Sequence, residues 1–261
     1  MSHLHWGRPA PDSPSAILLH GLTSSSRTWL DLGTHLSDRY EVHAPEQRGH
    51  GTGARLPRTD GEFAIDRFAR DALEFINTLK LRPAILAGHS WGAAATLIAA
   101  AALSVDPETA PAAVILEDPV HAMGTARQRA MAARMLSLRD LDTDSLRIEL
   151  TAGEPSLTDH QLIERVEELR ATDPALLRHV AADPAERSLL PLFAEIACPV
   201  LLLLADETLS RVFDDDTVER ARPLLPAGSH VVRVSGAPHV VHRAEPERTA
   251  AEIDAFLKTV D

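Results

Sequence analysis

The segment Gly88-His89-Ser90-Trp91-Gly92 carries more information than any other in this chain of 261 residues. It fits G-x-S-x-G, and its flanks are what that pattern requires. Before it runs Ala84-Ile85-Leu86-Ala87, short and apolar, which reads as a buried strand. After it runs Ala93–Leu103, rich in alanine and leucine, which reads as a helix. A serine on so sharp a strand-to-helix turn has a strained backbone, so the positions two before and two after it must be nearly free of side chain. The turn lifts the Ser90 hydroxyl clear of the sheet to the positive end of the next helix, where developing negative charge is favoured.

Outward from Ser90, apolar strand-like runs alternate with helical patterns. Strands are expected at Ala16–Leu19, Tyr40–Ala44, Ala84–Ala87, Ala113–Leu116, Pro199–Ala205 and Val231–Val234, with His3–Trp6 as an edge strand. Helices are expected at Ser24–Leu36, Ile65–Leu79, Trp91–Leu103, Asp216–Leu224 and Pro246–Thr259. Continuous apolar strands between amphipathic helices imply an α/β architecture, a parallel sheet covered on both faces. Between 119 and 196 the alternation stops. Ala126–Leu138, Asp144–Leu150, Asp159–Ala171 and Pro174–Val180 have helical periodicity with no convincing strand. This divides the chain into a core, 1–118 with 197–261, and an all-helical insertion, 119–196. Insertions on the carboxyl-end side of such sheets lie over the ligand crevice.

Composition narrows the function. With 44% apolar but only 4% aromatic residues, the core must be built from Leu, Ala, Val and Ile. A formal charge of −12, spread along the chain, argues against nucleic acid and anionic membranes, which need a basic footprint. The single cysteine, Cys198, adjoins a buried strand and reads as a small hydrophobe rather than a nucleophile. The opening residues lack a leader pattern, and the longest apolar run is far below the ~20 residues that span a bilayer, so a cytoplasmic protein is expected. The sequence leaves monomer and homodimer both open.

A serine hydroxyl needs a base to take its proton and a third group to hold that base. In this architecture the order is Ser, acid, His. His239, in Gly236-Ala237-Pro238-His239 after the last strand, is the expected base. His242, its competitor, leads into a helix start and is expected at the pocket rim. A tetrahedral oxyanion needs two preorganised N–H donors. Trp91, after the nucleophile, supplies one, and Leu22, in the loop after His20-Gly21, the other.

These motifs, with the loop Pro45-Glu46-Gln47-Arg48-Gly49-His50-Gly51, make the chain resemble the α/β-hydrolase superfamily from about Ala16 to Leu257. The resemblance implies an eight-stranded, mostly parallel sheet, or seven strands if the family's first is missing. It also implies a helical cap, no cofactor, and Ser-His-acid chemistry, with Arg48 and His50 as scaffold. The acid departs from the family pattern. Most relatives carry Gly-x-x-Asp after the penultimate strand, whereas this chain has Ala205-Asp206-Glu207-Thr208. Some lipases and lactonases instead place the acid after the strand that follows the nucleophile helix, which here ends Glu117-Asp118-Pro119. Asp118 and Asp206 both stay open, with the lean toward Asp118.

The leading expectation is a serine hydrolase of a small to medium, apolar carboxylic ester or lactone. Carbon–carbon bond hydrolysis or cofactor-free perhydrolysis on the same residues is the alternative. A non-catalytic receptor on this fold comes third. Dehalogenase and epoxide-hydrolase relatives carry Asp at the elbow, where this chain has Ser90. No metal is expected. Asp214-Asp215-Asp216 reads as a helix cap, and His3 and His5, on one face of an edge strand, have no further ligand nearby in sequence.

Overall fold

The structure, a computed structural model, describes residues 1–7, 13–51, 62–154 and 157–260. In chain order the strands are β1 (His3–Trp6), β2 (Ser15–Leu19), β3 (Glu41–Pro45), β4 (Pro83–His89), β5 (Ala113–Glu117), β6 (Ala122–Met123), β7 (Arg187–Ser188), β8 (Val200–Leu204) and β9 (His230–Arg233). Among the described residues, seven of them form one sheet in the order β1-β3-β2-β4-β5-β8-β9. Every neighbour in it is parallel except β1, which runs antiparallel to β3. Seven is the smaller of the two strand counts expected.

The sheet is buried because its strands are apolar on both faces. Leu201, Leu202, Leu203 and Leu204 of β8 are each fully buried. A leucine taken out of water contributes about 1.5–3 kcal/mol. The pleat divides them: Leu202 and Leu204 join one core with Leu86, Val114 and Leu116, while Leu201 and Leu203 join another with Ile85, Ala87 and Ile115. Helices α2 (Ile65–Leu79), α3 (Trp91–Leu103) and α8 (Asp215–Ala221) pack on the first face. Helices α1 (Leu30–Leu36) and α10 (Pro246–Leu257) pack on the second. Helix α3 is apolar nearly all round because it is enclosed by its neighbours, Ala93, Ala94, Ala95 and Leu97 being essentially inaccessible.

After β5 come helices α4 (Ala126–Leu138), α5 (Thr143–Gly153), α6 (Asp159–Ala171) and α7 (Pro174–Ala182). Each starts on a residue that caps it. Thr125, Asp142, Thr158 and Asp173 accept first-turn N–H groups through their side chains, and Thr158 forms a reciprocal capping box with Gln161. Leu138, Leu146, Leu150, Leu162, Val166, Leu169 and Leu177 form a separate small core among these helices. One expectation here is corrected. The insertion is not strand-free, since β6 and β7 pair antiparallel at its base, with Ala122 opposite Ser188. A second concerns Ser24–Leu36, which opens with a 3-10 turn, Ser26–Trp29, before α1.

No helix among the described residues is long and apolar enough to cross a membrane.

Candidate active site

Strand order reverses beside β4, and in open α/β sheets the ligand crevice opens at the carboxyl ends of the strands around such a point. Ser90 sits there, between β4 and α3, with φ 54° and ψ −112°. Its backbone is pinned on both sides: its N–H donates to Glu117 O at 2.9 Å, and its C=O accepts from Val120 N at 3.2 Å. The two flanking glycines are required sterically. A Cβ on Gly88 would fall 2.5 Å from Thr96 Oγ1, and one on Gly92 would fall 2.2 Å from Leu19 O.

Ser90 Oγ donates to His239 Nε2 at 2.9 Å, and His239 Nδ1 donates to Asp118 Oδ2 at 2.6 Å. The three residues come from the ends of β4 and β5 and from the loop after β9. Asp118 is fully buried and takes φ 37°, a left-handed turn between β5 and Pro119 that aims its carboxylate along the strand ends. Partial burial pulls the His239 pKa down, but the hydrogen bond and charge of Asp118 outweigh it and raise the pKa above the ordinary 6.5.

Asp206, the other acid considered, does not take this place. Its Oδ1 accepts from Thr208 N and Thr208 Oγ1 at 2.9 and 2.7 Å, and its Oδ2 from Gly236 N at 2.8 Å. Thr208 thus turns the carboxylate into a local turn, and these bonds hold its pKa down at about 2. The bond to Gly236 gives Asp206 a different task, tying the β8 end to the loop that carries His239. Glu207 accepts from Asp215 N.

The structure also corrects the expectation for His242. It is not at the rim but buried behind His239. His242 Nδ1 donates to Glu117 Oε2 at 2.7 Å, its Nε2 accepts from Thr28 Oγ1 at 2.6 Å, and its ring stacks on Trp29 with centroids 4.2 Å apart. His89 lies between the two histidines, its Nε2 donating to the His239 carbonyl at 3.0 Å. Burial keeps His89 neutral, its pKa far below the ordinary value. Gly21 is bare because a Cβ there would stand 2.8 Å from the His89 ring.

Leu22 follows Gly21 at the cleft wall, and Trp91 opens α3, where a first-turn N–H has no partner within the helix. The Leu22 loop is held by its neighbour Thr23, a β-branched residue at φ 61°. Thr23 N donates to His50 Nε2 at 3.1 Å, and Thr23 O accepts from Arg165 of α6 at 2.6 Å. Burial drives the His50 pKa down to about 3, so its ring stays neutral and accepting. Arg48 is engaged elsewhere, donating to both oxygens of Asp71. Cys198 is buried, which pushes its thiol up to about 11. Asp214 caps α8 through Thr217 N.

Ser90 opens into a cleft of about 570 Å³. Leu22, Val120, Leu209, Val212 and Val240 give it apolar walls, and Met131 and Met135 of α4 reach in from the insertion. Arg127, Arg165, Arg211 and Arg243 bring positive charge to its lining, and Glu154 and Asp214 bring negative charge.

A sheet of this topology with a strained serine at its switch point defines a hydrolase-type architecture. Residues 16–252 match the model of the alpha/beta hydrolase family, and the chain belongs to that family. It is 30% identical to 2-(acetamidomethylene)succinate hydrolase of Mesorhizobium japonicum, over 96% of this chain and 90% of that one. It is 31% identical to Lipase LipV of Mycobacterium tuberculosis over 62% of each chain. A crystal structure of E-2-(acetamidomethylene)succinate hydrolase superposes with a TM-score of 0.80 at 25% identity, covering 98% of this chain and 94% of the other.

Three contacts had no signal in the sequence. Ser210 Oγ donates to Asp118 Oδ2, Arg165 reaches Thr23, and Glu117 pairs with His242. Each joins residues far apart in the chain whose local patterns are those of ordinary strands, helices and loops.

Proposed function

We propose that this protein is a serine hydrolase of small to medium, largely apolar carboxylic esters or lactones. The observation that carries the reading is the continuous run from Ser90 Oγ through both ring nitrogens of His239 to Asp118, at 2.9 and 2.6 Å, on the floor of the cleft. In this scheme Ser90 Oγ attacks the carbonyl carbon while His239 Nε2 takes the hydroxyl proton. Negative charge on the former carbonyl oxygen meets the N–H groups of Leu22 and Trp91 and the positive end of α3. The tetrahedral intermediate collapses, the leaving oxygen takes the proton from His239, and an acyl-Ser90 ester remains. Water, deprotonated by His239, then releases the acid. Asp118 stays ionised throughout and stabilises the imidazolium.

The insertion, 119–196, acts as a cap that sets specificity. Support comes from its own core and from the side chains of α4 that line the cleft beside Ser90. The likeness to a lipase fits the ester reading.

A second reading has a specific observation in its favour. The M. japonicum relative acts, by its name, on an acetamido-substituted succinate, and this cleft carries Arg127 and Arg211. A small carboxylated amide, or a carbon–carbon bond or perhydrolysis reaction on the same residues, is that alternative.

The deciding experiment sets p-nitrophenyl esters, lactones and acetamido-dicarboxylates against wild type and Ser90→Ala, alongside a fluorophosphonate probe. Ester or lactone turnover with probe labelling, both lost in Ser90→Ala, is expected. Turnover confined to the dicarboxylates selects the second reading, and labelling that persists in Ser90→Ala overturns both.

A further inference from the structure

The edge of the sheet farthest from β9 gathers histidines that the chemistry above does not use. Antiparallel pairing of β1 with β3 sets His5 directly opposite His43. Glu41, two residues before His43 on the same strand, shares its face. Glu41 Oε1 lies 3.2 Å from His5 Nε2 and 3.3 Å from His43 Nε2, and one ligand atom from each of the three lies within 4.8 Å of the others. At zinc–ligand distances of about 2.0–2.2 Å, a tetrahedral site has edges of about 3.3–3.6 Å. The two histidine–carboxylate separations, 3.2 and 3.3 Å, lie just below and at the short end of that range.

His43 is the second observation. It is only 4% exposed, and among the described residues neither ring nitrogen makes a well-formed hydrogen bond, Nε2 meeting only the 3.3 Å approach of Glu41 Oε1. Buried polar atoms are ordinarily satisfied, so a buried imidazole without a well-formed hydrogen bond calls for another occupant of its lone pair. Phe75 closes one side, edge-on to His43 at 6.0 Å and to His3 at 5.1 Å. His5, partly exposed, leaves the other side open to solvent for a fourth, water ligand.

We propose that His5, Glu41 and His43 form a binding site for a divalent transition-metal ion of the zinc class, which clips β1 onto β3. Two imidazoles and one carboxylate suit such an ion, whereas calcium and magnesium take oxygen ligands. The ion would be structural, because Ser90 lies at the end of β4, with β3 and β2 between it and β1. It would fasten a four-residue edge strand that pairs on one side only.

Untagged full-length protein, stripped with a chelator and dialysed against micromolar zinc, should retain one ion per chain. His5→Asn and Glu41→Gln should each weaken binding at least tenfold, while His230→Asn, at the opposite edge of the sheet, should not. Cobalt(II) should give the intense visible bands of a four-coordinate site. Zinc should raise the Tm of wild type and of His230→Asn but not of His5→Asn, since an ion that binds only the folded chain stabilises it. Because His5 is partly exposed, its variant should fold, and far-ultraviolet circular dichroism checks that it does. Absence of zinc from the wild type overturns the proposal. So does unchanged binding, or an unchanged thermal shift, in folded His5→Asn.

Discussion

Ser210 donates its hydroxyl proton to the same Asp118 oxygen, Oδ2, that accepts from His239, both at 2.6 Å. Oδ1 of Asp118 is buried with no hydrogen-bond partner among the described residues. The carboxylate is therefore gripped through one oxygen by two donors, and its orientation is set by Ser210 as well as by the β5 turn. The first prediction separates the two roles. Asp118→Asn should lower kcat by about 10³–10⁴, the scale seen when the equivalent carboxylate of a serine protease is replaced. Ser210→Ala removes one hydrogen bond to a charged group and should cost about tenfold. Asp206→Asn should act on stability more than on kcat, since its bonds run to Thr208 and Gly236. Steady-state kinetics on one ester, with urea melts in parallel, check all three.

The pH profile follows from the raised pKa of His239. As general base, His239 must be neutral, so kcat/KM should climb with pH and level off above its pKa. That limb should lie above the ordinary histidine value of 6.5, because Asp118 favours the charged ring. In Asp118→Asn the favouring charge is gone while the burial that lowers the pKa remains, so the limb should move to lower pH. An unmoved limb in that variant would sink the assignment of Asp118.

Glycine substitutions offer a stability test with opposed expectations. Gly92→Ala drives a methyl to 2.2 Å from the Leu19 carbonyl, an overlap that backbone cannot relieve, and should cost more than about 4 kcal/mol. Gly236→Ala meets nothing within 4 Å but keeps φ at 80°, so only the conformational penalty remains, about 1–2 kcal/mol. Urea midpoints should rank them in that order.

The buried pair behind the site gives a third contrast. Glu117 would be raised by burial, but His242, which donates to it through its ring and its backbone N–H, outweighs that and holds it below its ordinary 4.5. A carboxylate depressed on folding contributes stability that is full above its unfolded pKa and lost as pH falls through the folded one. Replacing His242 with Leu strands that charge and should cost about 3–5 kcal/mol at pH 7. Glu117→Gln, which removes the charge instead, should cost less and flatten the acid limb of stability. Melts between pH 3 and pH 7 read both.

How far the sequence carried the reading differs by feature. Strands and helices could be read from the chain because burial on both faces leaves continuous apolar runs such as Val200–Leu204, and because burial on one face leaves a helical period such as that of Ile65–Leu79. The turn at Ser90 could be read because its glycines, Gly88 and Gly92, flank it in sequence, where a Cβ would meet Thr96 Oγ1 and the Leu19 carbonyl. The choice of acid could not be read from spacing alone. It depends on Thr208, whose hydroxyl claims Asp206, and on Ser210, which meets Asp118 across 92 residues of chain. A helix start usually lies on the surface, so local pattern alone puts His242 at the rim. Its burial comes from Trp29 and Glu117, two distant partners that local pattern does not connect to it.

The last prediction concerns the loop that presents Leu22. Arg165 of α6 holds the Thr23 carbonyl at 2.6 Å while pairing with Glu154 and Glu168, so α6 braces the loop that shares the cleft with Ser90. Arg165→Met keeps much of the side chain's bulk but frees Thr23 O, and with it the constraint that keeps Thr23 at a positive φ. Loss of a whole oxyanion donor costs about 10²–10³ in kcat, so loosening one should cost about 10–100-fold. The His239 limb of the pH profile should stay where it is, because Ser90, His239 and Asp118 keep their mutual contacts. A fall in kcat with a fixed limb assigns Arg165 to the oxyanion loop. A shifted limb would place its effect on the base instead, and unchanged kcat would remove the loop from the catalytic scheme.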